Sequence, residues 1–399
     1  MHIVIIGDTF PPMRTSGAVM LKDLADEYVA QGDGVTVIIP SDFQDEPVVE
    51  KNNGNLKIFY VKAFKTKDIG YLRRTLAEFF NPFFMWARLI RFKPFLMDTV
   101  ELVVWYSPSI FWGPLVKRIK KRWGCRSYLI LRDIFPDWAV DLGLLSKANP
   151  VLYFFSQVAR YQYQQADAIG VQSPKNQDYL IKKIPQLKTK VRVLWNWMRE
   201  DGDQKKCSIR VSETSLSGKK VFVYAGNIGV AQGINVFLKI IQAFNGKEKI
   251  GFLFVGRGSE MSRLKEMVSK AKLENVLFYP EIPAEQINDL YAQCDAGMIV
   301  LDERHKTHNI PGKFVSYMYA GLPVFGVVNF GNDLVQIARN NVLGYIADSS
   351  EITDLSAAAD LFIKNLLIDS KVRDRCKDFG RKVFNSKYAV DEMKMLLRK

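Results

Sequence analysis

A lysine stands in the first turn of a predicted helix, where its charge could serve to bind an anion. It lies in the stretch 309–324, which reads NIPGKFVSYMYAGLPV. Pro311 suits the first turn of a helix, and Gly321 suits the left-handed residue that follows a helix. Free N–H groups at a helix start attract anions, and a cation such as Lys313 opposes the helix dipole unless an anion lies between them. The stretch therefore predicts an anion site at Lys313, although a surface lysine on an ordinary helix fits the spacing equally well.

Two glycine-containing segments could also bring backbone N–H groups to a phosphate. Residues 225–233 read AGNIGVAQG and lie between a predicted strand and a predicted helix, a common position for phosphate-binding loops. Gly17 precedes the predicted helix 18–31 and would let a diphosphate approach the backbone, but a plain turn explains it equally well. Arg257 follows another predicted strand and adds a cation, which could equally be a solvated residue at a helix start.

A group of charged residues follows the predicted strand 127–131. Arg132, Asp133 and Asp137 come directly after it in the run RDIFPD. Ligands of open parallel sheets bind at the carboxyl ends of the strands, so these side chains are expected near the chemistry. Asp133 could act as a base or as a ligand to a hydroxyl group, and Arg132 could pair with it. A salt-bridged loop is the alternative.

Predicted strands and helices alternate along the chain, and this order indicates an α/β fold with two doubly wound sheets. Residues 199–219 form the one clear polar linker in the sequence. The linker predicts two Rossmann-like domains, at 1–198 and at 199–375. Residues 376–399 are expected to form a C-terminal helix that packs back on the N-terminal domain.

Composition argues against several classes of protein. The 399 residues are 48% hydrophobic and 25% charged, which is typical of globular domains. The 4 cysteines are widely scattered and only 3 histidines occur, so neither a disulfide framework nor a histidine-based metal site is expected. This cysteine usage favours a reduced, cytoplasmic compartment. The N-terminus predicts a strand rather than a signal peptide, and the apolar window 102–116 is too short to span a bilayer.

The net charge of +14 indicates an anionic partner. Nucleic acid, anionic lipid and a polyphosphate substrate are the candidates. Nucleic acid is the weakest of them and is not expected, because zinc-finger spacing, an RNP-type strand and an arginine-rich tail are all missing from the sequence. Residues 71–93 place large apolar side chains at helical spacing between basic residues, which is typical of a helix at a membrane surface. A core helix of the first domain is the alternative.

Several motifs, taken in their order, resemble those of retaining GT-B glycosyltransferases of the family-4 type. They are YAG ending at Gly226, G-x-G at 256–258, F-x-P-E-I-P at 278–283, Y-A-x-C-D at 291–295, MYAGLPV at 318–324, and GDTFPP…SG near the N-terminus. The resemblance covers nearly the whole chain. It implies two Rossmann-like domains that face each other across a cleft, the first binding the acceptor and the second binding the nucleotide sugar.

Four positions depart from the family pattern. Asn227 and Gln232 stand where the family usually has an arginine and a lysine that grip the leaving diphosphate. His308 and Ser316 stand where it usually has glutamates for the sugar and the ribose. The variant loop and the run RDIFPD resemble a subgroup that builds bacterial surface polysaccharides. The closest type is the N-acetyl-L-fucosamine transferases of O-antigen and capsule assembly.

The resemblance implies a donor site and an acceptor site. The implied donor-binding residues are Gly17, Asn227, Gln232, Arg257, Ile282, His308, Lys313 and Ser316. Arg132 and Asp137 are expected on the acceptor side. Lys313 and Asp133 are the expected catalytic residues, the lysine to neutralise the leaving diphosphate and the aspartate to orient the acceptor or ease its deprotonation. Retaining members imply front-face attack, in which the leaving phosphate takes the acceptor proton, so no protein nucleophile is expected. The sequence lacks a ligand cluster with metal spacing, so no metal is expected, and no cofactor is expected beside the UDP-sugar substrate.

The expected function is transfer of a sugar from a UDP-sugar to a polyprenyl-diphosphate-linked saccharide, at the inner face of the cytoplasmic membrane. N-acetyl-L-fucosamine or a related amino sugar is the expected donor sugar, and an anionic membrane surface is the third expected partner. Two alternatives remain open. A UDP-sugar epimerase of the same fold would use acid/base carboxylates and need no acceptor. A catalytically inactive sugar-nucleotide-binding protein would bind without turnover.

Overall fold

The computed structural model describes residues 1–13, 15–97, 99–199, 205–246, 249–349 and 354–398. The chain divides into two compact units, of which unit 1 comprises Met1–Trp197 with Ser386–Lys399, and unit 2 comprises Met198–Asn385. Residues 200–204 of the predicted linker lie outside the described residues.

Unit 1 is built on an eight-stranded sheet in the order β3-β4-β2-β1-β5-β6-β7-β8. Its elements are β1 (His2–Ile6), α1 (Ser16–Ala30), β2 (Gly34–Ser41), β3 (Val48–Asn53), β4 (Leu56–Lys62), α2 (Tyr71–Leu89), α3 (Lys93–Met97), β5 (Leu102–Tyr106), α4 (Gly113–Trp123), β6 (Arg126–Ile130), α5 (Asp137–Asp141), α6 (Pro150–Gln165), β7 (Ala168–Val171), α7 (Pro174–Lys183) and β8 (Val191–Val193). The β3–β4 pair is antiparallel, and the other neighbours are parallel.

Unit 2 is built on a six-stranded parallel sheet in the order β11-β10-β9-β12-β13-β14. Its elements are β9 (Lys220–Asn227), α8 (Ile234–Ala243), β10 (Ile250–Arg257), α9 (Met261–Lys270), β11 (Val276–Tyr279), α10 (Ile287–Ala292), β12 (Ala296–Val300), α11 (Gly312–Ala320), β13 (Val324–Val328), α12 (Asp333–Asn340), β14 (Gly344–Asp348), α13 (Leu355–Phe362) and α14 (Val372–Val383). A last helix, α15 (Ser386–Lys394), belongs to unit 1. The predicted α/β class with two doubly wound sheets is confirmed.

The strand order of each sheet fixes where a ligand site is expected. In unit 1 the order reverses between β1 and β5, and in unit 2 it reverses between β9 and β12. Doubly wound sheets bind ligands at such a switch point, outside the carboxyl ends of the strands. The loops that follow these four strands therefore carry the candidate sites.

Each face of the unit 1 sheet has its own apolar core. Because side chains alternate along a strand, Ile3 and Ile5 of β1 face a core that includes residues of α1 and α15. Val4 and Ile6 face the opposite core, to which α2, α4, α6 and α7 contribute. Burial on both faces explains why these strands read as continuous apolar runs in the sequence.

The C-terminal segment that joins unit 1 is shorter than the predicted 376–399. α14 belongs to unit 2, where a Cβ at Gly380 would lie 3.1 Å from the Met318 Cβ of α11. This close approach packs α14 against α11 within unit 2. The segment therefore begins at Ser386, and α15 packs on α1, where the Tyr28 hydroxyl donates to the Met393 sulfur at 3.4 Å.

The helix predicted over 71–93 extends over Tyr71–Leu89 and has two different faces. Met85 and Leu89 are buried in the core, and Asn81 pairs with both the N–H and the C=O of Phe64, at 2.8 and 3.1 Å. The other face consists of exposed apolar side chains, among them Leu76, Phe80, Phe83 and Phe84. Among the helices that the structure describes, none is long and apolar enough to cross a membrane.

Candidate active sites

The predicted anion site on α11 and the glycine loop after β9 meet in unit 2. As predicted, α11 ends at Gly321, whose φ of 73° is left-handed. Lys313 lies in the first turn, and its Nζ is 4.5 Å from the centre of the Tyr224 ring. A Cβ at Gly226, where φ is 128°, would lie 3.1 Å from Lys313 Cε and 3.2 Å from Nζ. Glycine at this position therefore leaves the space that the lysine side chain occupies.

The ammonium group of Lys313 is held in a place that favours a bound anion. Burial lowers the pKa of Lys313 to about 8, and no carboxylate of the described residues contributes to the shift. An anion next to a buried lysine stabilises its charged form. A phosphate at the free N–H groups of the α11 start would meet both the helix dipole and this cation.

The end of β10 lies against the same glycine loop. A Cβ at either Gly256 or Gly258 would lie 2.0 Å from a carbonyl oxygen of the loop 226–233, so both positions require glycine. Arg257, between them, is exposed and pairs with Glu281 at 2.8 Å. The charge of Arg257 therefore lies at the rim of the loop, where it is paired with the Glu281 carboxylate.

Asn227 and Gln232, the two loop residues that depart from the family pattern, have different structural roles. Gln232 Oε1 accepts a hydrogen bond from the N–H of Gly229 at 2.9 Å, so this side chain fixes the loop. Asn227 ends β9, where its carbonyl accepts from the Tyr224 hydroxyl at 3.0 Å and its side chain is exposed. Of these two predicted donor residues, Asn227 is the one with its amide open to solvent.

The other predicted donor residues lie at three places in unit 2. His308, before α11, has a left-handed φ of 55°, and its Nδ1 is 3.4 Å from Asn329 Nδ2. The Ser316 hydroxyl donates to the Gly312 carbonyl at 3.3 Å, so its own helix engages it. Ile282 is half-buried after β11, two strands away from β9 in the sheet.

An ion pair that sequence reasoning missed lies beside the glycine loop. Asp302 follows β12, and a Cβ at Gly233 would lie 3.2 Å from its Cα. Arg304 binds both carboxylate oxygens of Asp302 at 2.8 Å. Burial alone would raise the pKa of Asp302, but the Arg304 hydrogen bonds outweigh it and the pKa lies below its usual value. The signal in the sequence is the charged run 302–306 directly after a predicted strand.

Two carboxyl groups with raised pKa values lie at the switch-point edge of unit 1. Asp133 follows β6 and Asp8 follows β1, and β5 lies between these strands. Burial raises the pKa of Asp133 to about 6, Arg132 opposes the shift, and the charge of Asp8 adds to it. Burial also raises the pKa of Asp8, whose Oδ1 is buried without a hydrogen-bond partner among the described residues. Coupled carboxyl groups of this kind suit acid–base chemistry.

Gly17 lies in unit 1, whereas the other predicted donor residues lie in unit 2. It is the second residue of α1, and a Cβ there would lie 2.9 Å from the ring of Tyr106, which ends β5. The glycine is therefore explained by the close approach of an aromatic ring. Thr15 caps the helix by accepting from the N–H of Ala18 at 3.2 Å.

The two predicted acceptor-side residues both have partners inside unit 1. Arg132 is 5% exposed and donates to the backbone carbonyls of 194–195 at 2.7 and 3.2 Å. Asp137 is 7% exposed, accepts from the Tyr179 hydroxyl at 3.0 Å and pairs with Lys183. Buried charges need such partners, and these partners fix the positions of the two side chains.

Comparison with known proteins identifies the class of enzyme. Residues 205–383, which lie within unit 2, match the family described as glycosyl transferases group 1. WbjE of Pseudomonas aeruginosa, named "Probable glycosyltransferase", is 24% identical over 82% of this chain and 80% of its own length. WcaI of Escherichia coli strain K12, a protein named for a glycosyl transferase role in colanic acid biosynthesis, is 22% identical over 88% of this chain and 86% of its own length. The chain is a glycosyltransferase.

A solved structure supports the fold assignment. The crystal structure of Anabaena Alr3699/HepE in complex with UDP and glucose has a TM-score of 0.66, with 14% identity and 99% of both chains covered. At this identity the likeness concerns the fold alone. The fold is GT-B-like, with two mostly parallel sheets of Rossmann type, as the sequence motifs implied.

Proposed function

We propose that this glycosyltransferase transfers a sugar, with retention, from a UDP-sugar to a polyprenyl-diphosphate-linked saccharide in bacterial surface polysaccharide assembly. N-acetyl-L-fucosamine or a related amino sugar is the proposed donor sugar, on the resemblance of 225–233 and 132–137 to that subgroup. The name of WcaI supports polysaccharide assembly. The UDP bound in the HepE crystal structure supports the nucleotide.

This proposal rests mainly on one observation, the close approach of the Lys313 side chain to Gly226 at the switch point of unit 2. Negative charge builds on the diphosphate as the sugar leaves, and preorganised N–H groups and cations stabilise that charge. The first turn of α11, the loop 226–233 and Lys313 supply both. Asp302 lies beside Gly233 and carries a second cation, Arg304, whose charge it shares.

The proposed transfer needs no protein nucleophile. The acceptor hydroxyl oxygen bonds to the anomeric carbon, and the bond from that carbon to the phosphate oxygen breaks with its electron pair leaving on UDP. The hydroxyl proton passes to the leaving phosphate on the same face of the sugar. Asp133 orients the acceptor hydroxyl and eases its deprotonation, which its raised pKa suits near neutral pH.

A panel of UDP-sugars incubated with a polyprenyl-diphosphate glycan pool, followed by mass spectrometry, tests the function. The proposal expects a glycan heavier by one amino sugar, with the anomeric configuration of the donor retained by NMR. Full activity should survive EDTA, because metal independence is part of the proposal; loss with EDTA and rescue by Mg²⁺ would contradict it. Epimerised UDP-sugar without acceptor would favour the epimerase, and UDP binding without turnover would favour an inactive binding protein.

We also propose that unit 1 attaches to an anionic membrane surface through the exposed aromatic face of α2. Phe80, Phe83 and Phe84 are 45%, 38% and 41% exposed on that face. Basic residues near an anionic bilayer contribute about 1 kcal/mol each, and inserted aromatic side chains add to this. The attachment would bring the enzyme to a lipid-linked acceptor.

Vesicle co-sedimentation tests the attachment. A Phe80/Phe83/Phe84→Ser variant leaves Phe79, which packs against the core, and should remain folded by circular dichroism. It should sediment several-fold less with anionic vesicles than wild type or a control, Phe43→Ser, whose ring is 89% exposed elsewhere in unit 1. A folded variant that sediments as well as wild type would show that the aromatic face of α2 does not bind the membrane.

A further inference from the structure

An apolar groove in unit 1 lies apart from the residues of both candidate sites. Its volume is about 570 Å³, within the range of about 300–1,000 Å³ typical of small-molecule pockets. It opens between α2, α4 and α6, and its apolar walls are Phe79, Phe83, Phe111, Pro114, Phe154 and Val158. A groove of this composition suits a hydrocarbon chain.

The rim of the groove is cationic. Lys117, Arg118 and Lys121 of α4 line it, and none of its described lining residues is acidic. Lys117 and Lys121 are exposed and one turn apart, so both ammonium groups can reach one anion. Arg118 stacks on the Phe83 ring, with 4.8 Å between the guanidinium carbon and the ring centre. A ligand with an apolar chain and an anionic head group complements this arrangement.

The groove is continuous with exposed apolar surface. The Phe79 and Phe154 rings join α2 to α6 across it, with centroids 6.0 Å apart. Phe80 on α2 is 45% exposed, and Tyr153 on α6 is 70% exposed. A contiguous apolar surface of this kind indicates contact with lipid or protein, and the adjacent cations favour lipid. A chain could pass from a bilayer into the groove without crossing water.

The direction of α4 distinguishes two possible sources of such a chain. The helix follows β5, so it begins at the carboxyl edge of the sheet, near Asp8 and Asp133, and runs back from that edge. Lys117 and Lys121 lie more than one and more than two turns from its start, at about 3.6 residues per turn. A phosphate held there lies away from the edge. In an acceptor bound at that edge, the diphosphate lies between the sugar and the isoprenoid tail. With the diphosphate at these lysines, the tail would extend away from the groove.

We propose that this groove binds one acyl chain of an anionic membrane phospholipid, with the lipid phosphate at Lys117 and Lys121. The inference deepens the proposed membrane attachment and rests on it, because the groove opens into the same exposed aromatic surface. It also gives the cationic rim of the groove a defined ligand. Attachment then depends on a lipid bound one-to-one as well as on general surface charge.

Isothermal titration with a soluble probe tests the groove without vesicles. The probe is lauroyl lysophosphatidylglycerol below its micelle concentration, added to the full-length wild-type protein. Gln157→Trp fills the groove from an exposed lining position on α6, whereas Gln164→Trp places the same ring at an exposed position of the same helix outside the groove. We expect one-to-one binding that weakens at least about tenfold in Gln157→Trp, the effect of about 1.4 kcal/mol, and is unchanged in Gln164→Trp.

A charge variant tests the assignment of the phosphate. Lys117→Gln/Lys121→Gln should weaken the lysophospholipid by about fivefold per lysine, the effect of about 1 kcal/mol each, and leave uncharged dodecyl maltoside unaffected. The control is Lys182→Gln/Lys188→Gln, two exposed lysines elsewhere in unit 1. Vesicle sedimentation that persists while wild type fails to bind the lysophospholipid would overturn the groove assignment and leave the membrane attachment standing. Farnesyl diphosphate that binds tighter than the lysophospholipid would overturn it in favour of an isoprenoid.

Discussion

The switch points of the two units have the same strand topology and opposite chemistry. In unit 2 the groups at the switch point are backbone N–H groups, Lys313 against Gly226, and the Arg304–Asp302 ion pair beside Gly233. In unit 1 they are carboxyl groups, Asp8 and Asp133, whose pKa values burial raises. Since the strand order at the two switch points is the same, the loops that follow these strands determine which unit attracts an anion and which presents carboxyl groups.

The difference also shows how each site is built. The unit 2 site depends on close backbone approach, because Gly256 and Gly258 bring β10 within contact of the loop 226–233. The unit 1 site depends on side chains from separate strand ends, which burial and mutual charge tune. A change of side chain should therefore affect turnover most in unit 1 and binding most in unit 2.

The largest effect is expected at Asp133. Asp133→Asn removes the group that eases deprotonation of the acceptor, so turnover should fall about 10²–10⁴-fold with little change in UDP affinity. Initial rates at saturating donor, with UDP titration of the same preparation, measure both quantities. Asp178→Asn, an exposed carboxylate on α7 of the same unit, is the matched control. Equal losses of turnover and of UDP affinity would indicate that Asp133 supports folding, and would contradict the proposed difference between the two units.

A smaller effect is expected at the ion pair beside Gly233. Arg304→Gln removes a cation from the glycine loop, so UDP should bind about tenfold more weakly, as for the loss of one charge-assisted contact. Asp302→Asn should have the opposite sign, because it releases that cation and removes a carboxylate near the phosphate. Fluorescence or calorimetric titration with UDP measures both, with Arg263→Gln on α9 as control. Weaker binding in both variants would instead indicate that the pair only supports the loop.

The parts of the unit 2 site are easier to recognise in the sequence than those of the unit 1 site, for a physical reason. A helix start, a glycine loop and Lys313 are local features, and each can be read from neighbouring residues. Asp8 lies far from Asp133 in sequence, and only the strand order brings their strand ends to one edge. The buried partners of Arg132 and Asp137 likewise come from distant segments, so the sequence alone does not show these contacts.

Fold class was the most predictable property. The alternation of strand and helix patterns is repeated many times, so single errors do not change it. The segment at 376–399 was placed less well, because the contact between Gly380 and Met318 that keeps α14 in unit 2 leaves no local pattern. Likewise, the periodicity of 71–93 revealed an apolar helix but not which aromatic rings are exposed.

The smallest effect concerns the pH dependence of turnover and tests the coupling within unit 1. Asp133 must be ionised to accept a hydrogen bond from the acceptor hydroxyl and ease its deprotonation, and burial raises the pKa of Asp133 to about 6. Turnover should therefore fall as pH is lowered through about 6. The charge of Asp8 contributes to that raised pKa. Asp8→Asn should therefore lower the pKa of Asp133 and move the acidic limb of the kcat profile to lower pH. The control Asp178→Asn should leave the acidic limb in place. An unmoved limb in Asp8→Asn would show that the two carboxyl groups act independently.

The division of roles between the units is tested most directly by calorimetric titration of UDP into wild type, Lys313→Ala and Asp133→Asn at pH 7. Lys313 is assigned to the diphosphate, so Lys313→Ala should lose about 2–4 kcal/mol of binding free energy, as for removal of one preorganised charge partner. Asp133→Asn should bind UDP as wild type does. Wild-type affinity in a folded Lys313→Ala variant, or an equal loss in Asp133→Asn, would contradict the assignment of donor binding to unit 2.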